Sequence, residues 1–153
     1  MRLACIIPTY NGKADLARLL DSLQTQTALF DTFVVDSSSK DGTQNLARER
    51  LGHVTVIPSA EFNHGGTRQK MVNQSPGYDV YVFLTQDAFL ADTQAIAKIV
   101  EPFADQNVGA VCGRQLPHLD ASPLAQHARF FNYPDGVQVK TMADVPRLGI
   151  KTA

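Results

Sequence analysis

Short apolar runs alternate with amphipathic segments along the chain as far as Cys112. Runs that are apolar throughout are typical of strands buried on both faces of a sheet. They predict five strands, at Leu3–Pro8, Phe33–Asp36, Val54–Ile57, Asp79–Leu84 and Val108–Cys112. The segments between them carry apolar residues at helical spacing and predict helices at Lys13–Gln24, Asp41–Leu51, Gly65–Gln74 and Asp92–Phe103. This alternation predicts an α/β fold with a mostly parallel sheet and helices on both of its faces.

The regular pattern weakens after Gly113. Prolines interrupt the chain from there on, and only a helix at Ser122–Phe131 and a strand at Val137–Met142 are predicted. We therefore predict a core domain over residues 1–117, followed by an irregular region over residues 118–153.

Composition and charge restrict the class of partner. The 153 residues are 44% hydrophobic and 19% charged, which is typical of one globular domain. The net charge of −1 provides no basic field for nucleic acid or anionic lipid, so nucleic acid is not expected as a partner. Any phosphate binding must come from a few local groups.

Two further features indicate the cellular compartment. Cys5 and Cys112 both lie in apolar runs, which predicts buried, reduced thiols, and their spacing fits no zinc motif. No apolar stretch approaches the roughly 20 residues that span a bilayer, and the first residues lack a signal-peptide layout. These features predict a cytoplasmic protein.

Asp87 follows the predicted fourth strand, after Thr85 and Gln86. Open α/β sheets bind their ligands at the carboxyl ends of the strands. A carboxylate there can hold Mg²⁺ against a phosphate. The alternative is that Asp87 only caps the next helix, and both interpretations stay open at this point.

The first two strands also end in polar residues. Pro8 is predicted to end the first strand, and Thr9, Tyr10 and Asn11 then come to the sheet edge, where they could bind a nucleobase or form an ordinary turn. Asp36 occupies the corresponding position after the second strand. It could accept a hydrogen bond from a base or a ribose hydroxyl, or act only as a cap.

A glycine-rich helix start adds a candidate anion site. Free N–H groups at Gly65 and Gly66, together with the helix dipole and Arg68, would suit a phosphate, and His64 lies in the same turn. The chain lacks both the G-x-G-x-x-G and the P-loop patterns, which argues against a nicotinamide dehydrogenase or a P-loop ATPase. Arg114 and Gln115, after the predicted fifth strand, could face the same cleft or lie in a solvated loop.

Five segments in order resemble the motifs of one family, the inverting family 2 glycosyltransferases of the GT-A fold. They are IIPTYNG, VVDSSSKDGT, FNHGGTRQ, FLTQDA and CGRQLP, between residue 6 and about residue 117. The pair FNHGGTR and TQDA is most similar to the rhamnosyltransferase branch, which builds bacterial surface polysaccharide such as O-antigen. The resemblance implies a nucleoside-diphosphate sugar donor, in particular dTDP-L-rhamnose, a divalent cation (Mg²⁺ or Mn²⁺) and a saccharide acceptor.

The resemblance also implies roles for single residues. The nucleotide-binding residues would be Pro8, Thr9, Tyr10, Asp36, Arg68 and Gln86. Asp87 would be the metal carboxylate of the motif that often carries two or three carboxylates in the family, whereas Thr85-Gln86-Asp87 carries one.

No residue stands out as the catalytic base. Asp120, Asp135 and Asp144 lie in the irregular region, and in the family the base follows the matched segments. The resemblance therefore implies that the chain is the donor-binding part of a longer enzyme, with the base outside it. A lipid-linked acceptor, a peripheral position at the inner membrane face and the oligomeric state stay open. The alternatives are a non-catalytic nucleotide-binding module and a flavodoxin- or receiver-like domain that shares only the sheet.

Overall fold

The computed structural model describes residues 1–149 and divides the chain into two compact units, Met1–Val111 and Cys112–Ala153. The first unit alternates strands and helices, as predicted. Its elements are β1 (Leu3–Thr9), α1 (Lys13–Gln24), β2 (Asp31–Asp36), α2 (Thr43–Leu51), β3 (Thr55–Val56), α3 (His64–Gln74), β4 (Val80–Phe83) and α4 (Ala95–Val100), with single 3-10 turns at Ser59–Glu61 and Glu101–Ala104.

The four strands form one sheet in the order β3-β2-β1-β4, and every pairing is parallel. The register places Thr9 of β1 opposite Asp36 of β2, and Asp36 opposite Val56 of β3. The carboxyl ends of the strands therefore share one edge of the sheet. Each connecting helix must return from this edge to the opposite one, so α1, α2 and α3 all begin beside the strand ends.

Both faces of the sheet are covered by helices, which confirms the predicted layering. Alternate residues of β1 point to opposite sides: Leu3, Cys5 and Ile7 join a cluster with buried residues of α1, α2 and α4. On the other face Ile6 packs with a smaller group, Val35, Ile57 and Met71. Burying each large aliphatic side chain of this kind stabilises the folded state by about 1.5–3 kcal/mol. Strand β1, which is buried on both faces, therefore contributes strongly to the stability of the fold.

Pro8 does not end the first strand, because β1 continues to Thr9. The neighbouring bonds explain why: Ile6 O accepts from Leu84 N on the β4 side, whereas Thr9 O accepts from Ser37 N on the β2 side. Residues two apart in a strand face the same neighbour, so Pro8 faces the β4 side. The last β1–β4 partners are Ile6 and Phe83. Pro8 therefore lies beyond the paired part of β4, where no ladder donor is needed.

The predicted fifth strand at Val108–Cys112 is wrong. These residues adopt no strand conformation and do not pair with the sheet, and Cys112 is exposed instead of buried. Gly109 and Ala110 have low strand propensity and bury little apolar area. Pairing of this run with the sheet would therefore gain little stability. Cys5 is buried as predicted, and both cysteines are free thiols.

Two other predicted elements differ from the structure. The helix predicted over 92–103 is helical only at Ala95–Val100 and tightens to a 3-10 turn at Glu101–Ala104, where Pro102 has no N–H to continue the α-helical ladder. Val137–Met142 is not a strand, and Val137 and Val139 are almost fully exposed, because no strand lies beside them in the described part of the second unit.

The described part of the second unit, residues 112–149, holds two helices, α5 (Pro123–Asn132) and α6 (Val145–Leu148), with a 3-10 turn at Met142–Asp144. Ser122 caps α5 by accepting from Ala125 N, and Pro123 occupies the first helical position, where its missing N–H costs nothing. Within residues 1–149, no helix combines the length and the apolar character that crossing a bilayer requires.

Candidate nucleotide-binding site

Asp36 is the centre of a buried polar cluster at the carboxyl edge of the sheet. Its side chain is 0% exposed, and its Oδ2 accepts from Thr9 Oγ1 at 2.9 Å and from Ser39 Oγ at 2.5 Å. Its Oδ1 accepts from Ser39 N at 2.8 Å. Thr9 is itself only 3% exposed. The Asp36 carboxylate thus joins the ends of β1 and β2 and fixes the start of the loop that follows β2.

The loops after β1 and β2 are joined to each other by reciprocal bonds. Asn11 N donates to Ser39 Oγ at 2.8 Å, and Lys40 N donates to Asn11 Oδ1 at 2.9 Å. Asn11 and Ser38 both adopt positive φ, at 45° and 63°, a conformation that asparagine tolerates better than most residues. The two loops therefore form one pre-organised rim, in which Tyr10 stands with 55% of its surface exposed.

A single carboxylate, Asp41, supports the starts of two helices in this rim. Asp41 Oδ2 accepts from Lys13 N at the first residue of α1, and Oδ1 accepts from Thr43 N and Thr43 Oγ1 at the first residue of α2. Desolvation raises the pKa of Asp41, but these hydrogen bonds outweigh it and lower the pKa below its ordinary value. The negative charge also complements both helix dipoles.

Replacing Asp41 with alanine is expected to lower the free energy of unfolding by about 1 kcal/mol at neutral pH, the usual effect of losing a helix cap. Because the folded pKa is depressed, this contribution is present above the unfolded pKa of about 3.9 and is lost as pH falls through the folded value. Urea unfolding of wild type and Asp41→Ala at pH 7 and pH 3 checks this. An equal deficit at both pH values would contradict it, and Glu49→Ala on the exposed face of α2 is the matched control.

Gln86 connects the loop after β4 to the end of β1. Tyr10 N donates to Gln86 Oε1 at 2.8 Å, and Gln86 Nε2 donates to Tyr10 O at 3.2 Å. Both ends of the side-chain amide are therefore used on the backbone of one residue, Tyr10, in the neighbouring loop. Gly12 lies directly against this amide: a Cβ added to it would come within 2.3 Å of Gln86 Nε2.

Asp87 follows at the tip of a tight turn in which Ala88 N donates to Thr85 O at 3.0 Å. The Asp87 side chain is exposed at the carboxyl edge of the sheet, and it does not cap α4, which begins at Ala95 after Gln94. Among residues 1–149, no three His, Cys, Asp or Glu side chains are grouped to hold a metal ion. One exposed carboxylate fits Mg²⁺ or Mn²⁺ only when phosphate oxygens and water complete the shell, as Mg²⁺ sites commonly do.

The rest of the loop between β4 and α4 is attached to α1 and the turn after it. Gln26 Nε2 donates to Asp92 O at 2.8 Å, and Thr27 N donates to Thr93 O at 2.9 Å. Nearer to Asp87, the Arg18 guanidinium lies 4.1 Å from the centre of the Phe89 ring, a favourable cation–π contact. The segment carrying Asp87 is therefore held on both sides of the turn.

The start of α3 differs from the prediction of free N–H groups. Asn63 Oδ1 accepts from Gly65 N at 3.1 Å and from Gly66 N at 2.8 Å, so the N–H groups of both glycines are already bonded. The motif F-N-H-G-G-T-R encodes this cap, since asparagine is a preferred N-cap residue. An anion at this helix would therefore depend on the dipole and on Arg68 instead of these two amides.

Arg68 is half-buried and donates from Nη1 to His64 O at 2.8 Å. Its guanidinium also lies 6.0 Å from the centre of the Phe83 ring, at the last residue of β4. This contact places Arg68 beside the strand end that leads to Asp87. Phe83 is 42% exposed, and because it ends an apolar run, the sequence pattern assigns it to the core and not to the site.

The remaining predicted candidates make contacts of their own. His64 is exposed and packs edge-on against Phe62, with ring centres 4.9 Å apart. Arg114 and Gln115 belong to the second unit. There Arg114 pairs with Asp135 and also donates to Tyr133 O at 3.1 Å, while Gln115 accepts from Arg129. The structure thus brings Thr9, Tyr10, Asp36 and Gln86 together at one edge, with Asp87 beside Gln86 and Arg68 on Phe83.

The fold, together with a family match, identifies the class of protein. The four-stranded parallel sheet with helices on both faces is the GT-A fold, and the family described as "Glycosyl transferase family 2" matches residues 4–148. The chain therefore belongs to glycosyltransferase family 2.

Individual relatives give a finer likeness. The chain is 50% identical to the O-antigen chain rhamnosyltransferase RfbN of Salmonella typhimurium, over 99% of this chain and 49% of RfbN. It is 47% identical to the O-antigen chain rhamnosyltransferase WbaN of Salmonella anatum, over 96% of this chain and 47% of WbaN. The chain thus spans about half the length of the curated relatives it matches.

Solved structures share the fold. The mannosyltransferase PcManGT from Pyrobaculum calidifontis, in complex with GDP-Man and Mn²⁺, matches with a TM-score of 0.61 and 25% identity, over 70% of this chain and 33% of PcManGT. S. aureus TarS 1-349 in complex with UDP-GlcNAc matches with a TM-score of 0.55 and 26% identity, over 77% of this chain and 37% of that one.

Proposed function

We propose that the chain is the donor-binding part of an inverting rhamnosyltransferase of bacterial O-antigen synthesis, and that it binds dTDP-L-rhamnose with Mg²⁺ or Mn²⁺. The rhamnosyltransferase relatives at about half identity support the sugar, and the nucleotide sugars in the PcManGT and TarS complexes support the donor class. Within the proposal, the acceptor is a saccharide. A lipid-linked acceptor would bring the enzyme to the inner face of the cytoplasmic membrane.

The observation that carries the proposal is the meeting of separate polar groups at one edge of the sheet. Tyr10 offers an exposed ring for the nucleoside. The buried Asp36 carboxylate accepts a hydrogen bond from Thr9, the residue before Tyr10, and so fixes the loop that carries the ring. Asp87 offers an exposed carboxylate on a loop that Gln86 bonds to Tyr10. A nucleotide whose base lies at Tyr10 would bring its diphosphate toward Asp87 and Arg68.

Within this proposal Asp87 holds the divalent cation, and Arg68 supplies a fixed positive charge for the diphosphate. When bound, the cation neutralises charge that develops on the departing diphosphate. The role of the chain's own residues is to bind and orient. Tyr10 and Asp36 set the position of the nucleoside, and the fixed loop at Asp87 sets the direction of the diphosphate relative to the sugar.

Inversion at the anomeric carbon requires a base that removes the acceptor's proton on the face opposite the diphosphate. The three carboxylates first considered in the second unit have other partners: Asp135 pairs with Arg114, Asp120 with His118, and Asp144 with Arg147. Hydrogen bonds from Thr141 N, Arg147 and Thr141 Oγ1 hold the pKa of Asp144 below its ordinary value, which makes it a weaker base. We propose that the base lies outside this chain, and that residues 118–153 begin the acceptor side.

A nucleotide series tests the proposal. Melting temperatures of the chain are measured with dTDP, UDP and GDP, each with Mg²⁺, with Mn²⁺ and with a chelator. The proposal predicts the largest rise with dTDP and a smaller rise in the chelator, because a ligand that binds only the folded state stabilises it. Equal melting temperatures with and without every nucleotide would overturn it.

The second candidate function is that of a non-catalytic nucleotide-binding module. It is favoured by the ion pairs of Asp120, Asp135 and Asp144, which leave none of these three carboxylates identified as a catalytic base. Transfer distinguishes the two. The chain joined to the remaining half of a full-length relative is incubated with dTDP-L-rhamnose and a saccharide acceptor. Sugar transfer or donor hydrolysis would support the hypothesis of an enzyme. Nucleotide binding without either reaction would support the hypothesis of a non-catalytic module.

A further inference from the structure

Gln86 uses its whole side-chain amide on the backbone of Tyr10, although it sits in the motif where carboxylates often hold the metal. Its Oε1 accepts from Tyr10 N at 2.8 Å, and its Nε2 donates to Tyr10 O at 3.2 Å. These two residues are 76 positions apart in sequence. The amide therefore ties the loop that carries Asp87 to the loop that carries the exposed Tyr10 ring.

The chemistry of this contact explains why position 86 is an amide in this chain. Only a group that offers both an acceptor and a donor can satisfy the N–H and the C=O of a single residue. A glutamate would keep the acceptor for Tyr10 N but would bring a second acceptor against Tyr10 O. The residue type thus matches a backbone contact and not a metal ligand.

Gly12 is the second, independent observation. Its φ of −132° is open to other residues, so its backbone does not require glycine. A Cβ would compete with the Gln86 amide for space, because it would lie 2.3 Å from Gln86 Nε2 and 2.5 Å from Gln86 Oε1, and the end of the Gln86 side chain would have to move away. Gly12 therefore leaves the room in which the Gln86 amide reaches Tyr10.

We infer that Gln86 is a positioning residue, which sets Tyr10 and Asp87 relative to each other through the Gln86–Tyr10 clamp, and that Gly12 is the part of the site that makes the clamp possible. The inference rests on the proposed function for its consequence, since what the clamp positions is the nucleoside at Tyr10 and the cation at Asp87. It assigns Gln86 no direct contact with nucleotide or metal.

The first test needs no ligand. Hydrogen exchange of the Tyr10 amide is followed in wild type, Gln86→Ala and Gly12→Ala, with Gly109→Ala as the matched control because a Cβ at Gly109 meets nothing within 4 Å. The clamp predicts exchange faster by about tenfold in the first two variants, the equivalent of one lost hydrogen bond, and no change in the control. Equal exchange in wild type and Gln86→Ala overturns the clamp.

The second test separates positioning from metal ligation by the sign of its result. Affinity for dTDP with Mn²⁺ is measured for wild type and Gln86→Glu, with Gln94→Glu as a control that adds the same charge at an exposed position of the same loop. A metal ligand at 86 would bind Mn²⁺ more tightly as glutamate. The clamp predicts affinity weaker by about tenfold, because the contact with Tyr10 O is lost. Tighter or unchanged binding by Gln86→Glu overturns the positioning role.

A double variant completes the test. If Gly12 matters only because of Gln86, Gly12→Ala should weaken nucleotide binding in the wild-type background and have no further effect when Gln86 is already alanine. Additive losses would assign Gly12 another role. Lack of nucleotide binding by wild type itself would overturn the proposed function and the positioning role, and the exchange of the Tyr10 amide would still decide whether the clamp forms.

Discussion

Replacing Asp87 with alanine is expected to remove the metal-dependent part of the stabilisation by dTDP while leaving the melting temperature of the free protein unchanged. The side chain is exposed and lies at the tip of a turn, so its loss costs the fold little. For wild type at a nucleotide concentration of about 100 times the dissociation constant, linkage predicts a rise of roughly 5–10 °C. In Asp87→Ala the rise with Mn²⁺ should fall to the value seen in chelator.

Two controls make this result specific. Asp87→Asn keeps the shape of the side chain and an oxygen but loses the charge, so it should behave like Asp87→Ala with Mn²⁺ if charge holds the cation. Glu49→Ala removes a carboxylate from the exposed face of α2 and should respond like wild type. An undiminished metal-dependent rise in Asp87→Ala would show that another residue holds the cation.

Asp36→Ala is expected to destabilise the fold itself, by about 3 kcal/mol or more. The carboxylate is 0% exposed and accepts from Thr9 Oγ1, Ser39 N and Ser39 Oγ. Its removal leaves the buried Thr9 hydroxyl and the partly buried Ser39 groups without this acceptor and opens a cavity. The melting temperature should fall by roughly 6–12 °C. Urea unfolding measures the change.

Asp36→Asn separates stability from nucleotide binding. The amide has the same shape, its oxygen can still accept from Ser39 N, and its NH₂ can donate to hydroxyl groups of Thr9 and Ser39 that rotate to accept. The loss of stability should be well below that of Asp36→Ala. If Asp36 also reads the base, dTDP binding by this folded variant should weaken with and without metal. Wild-type affinity in Asp36→Asn would limit Asp36 to holding the two loops.

The parallel sheet could be predicted from the sequence because its strands lie in short, mostly apolar runs and because helices such as α1 keep one apolar face. Leu16, Leu19, Leu20 and Leu23 are all buried, as their spacing predicts. The prediction of a strand at Val108–Cys112 was wrong because an apolar run becomes a buried strand only when a neighbouring strand is available for pairing. That availability depends on the whole fold and not on the run.

The candidate site was predictable in its location but not in its bonding. That polar residues such as Thr9 and Asp36 meet follows from strand ends sharing one edge. What local sequence does not encode is which polar atoms are already used. Asn63 capping the glycines of α3, and Gln86 bonding to Tyr10, each depend on the three-dimensional position of a side chain. The contact between Phe83 and Arg68 was missed because an aromatic residue at the end of an apolar run has the same pattern whether it is buried or exposed.

The lone exposed carboxylate at Asp87 has a consequence for the order in which the proposed ligands would bind. Within residues 1–149, no group of three or more His, Cys, Asp or Glu side chains is placed to hold a metal ion, so the exposed Asp87 carboxylate would retain a cation only weakly before the donor is present. The diphosphate and the cation would then enter together, as a preformed complex in solution. The apparent affinity for the proposed donor should accordingly rise with the concentration of free Mg²⁺.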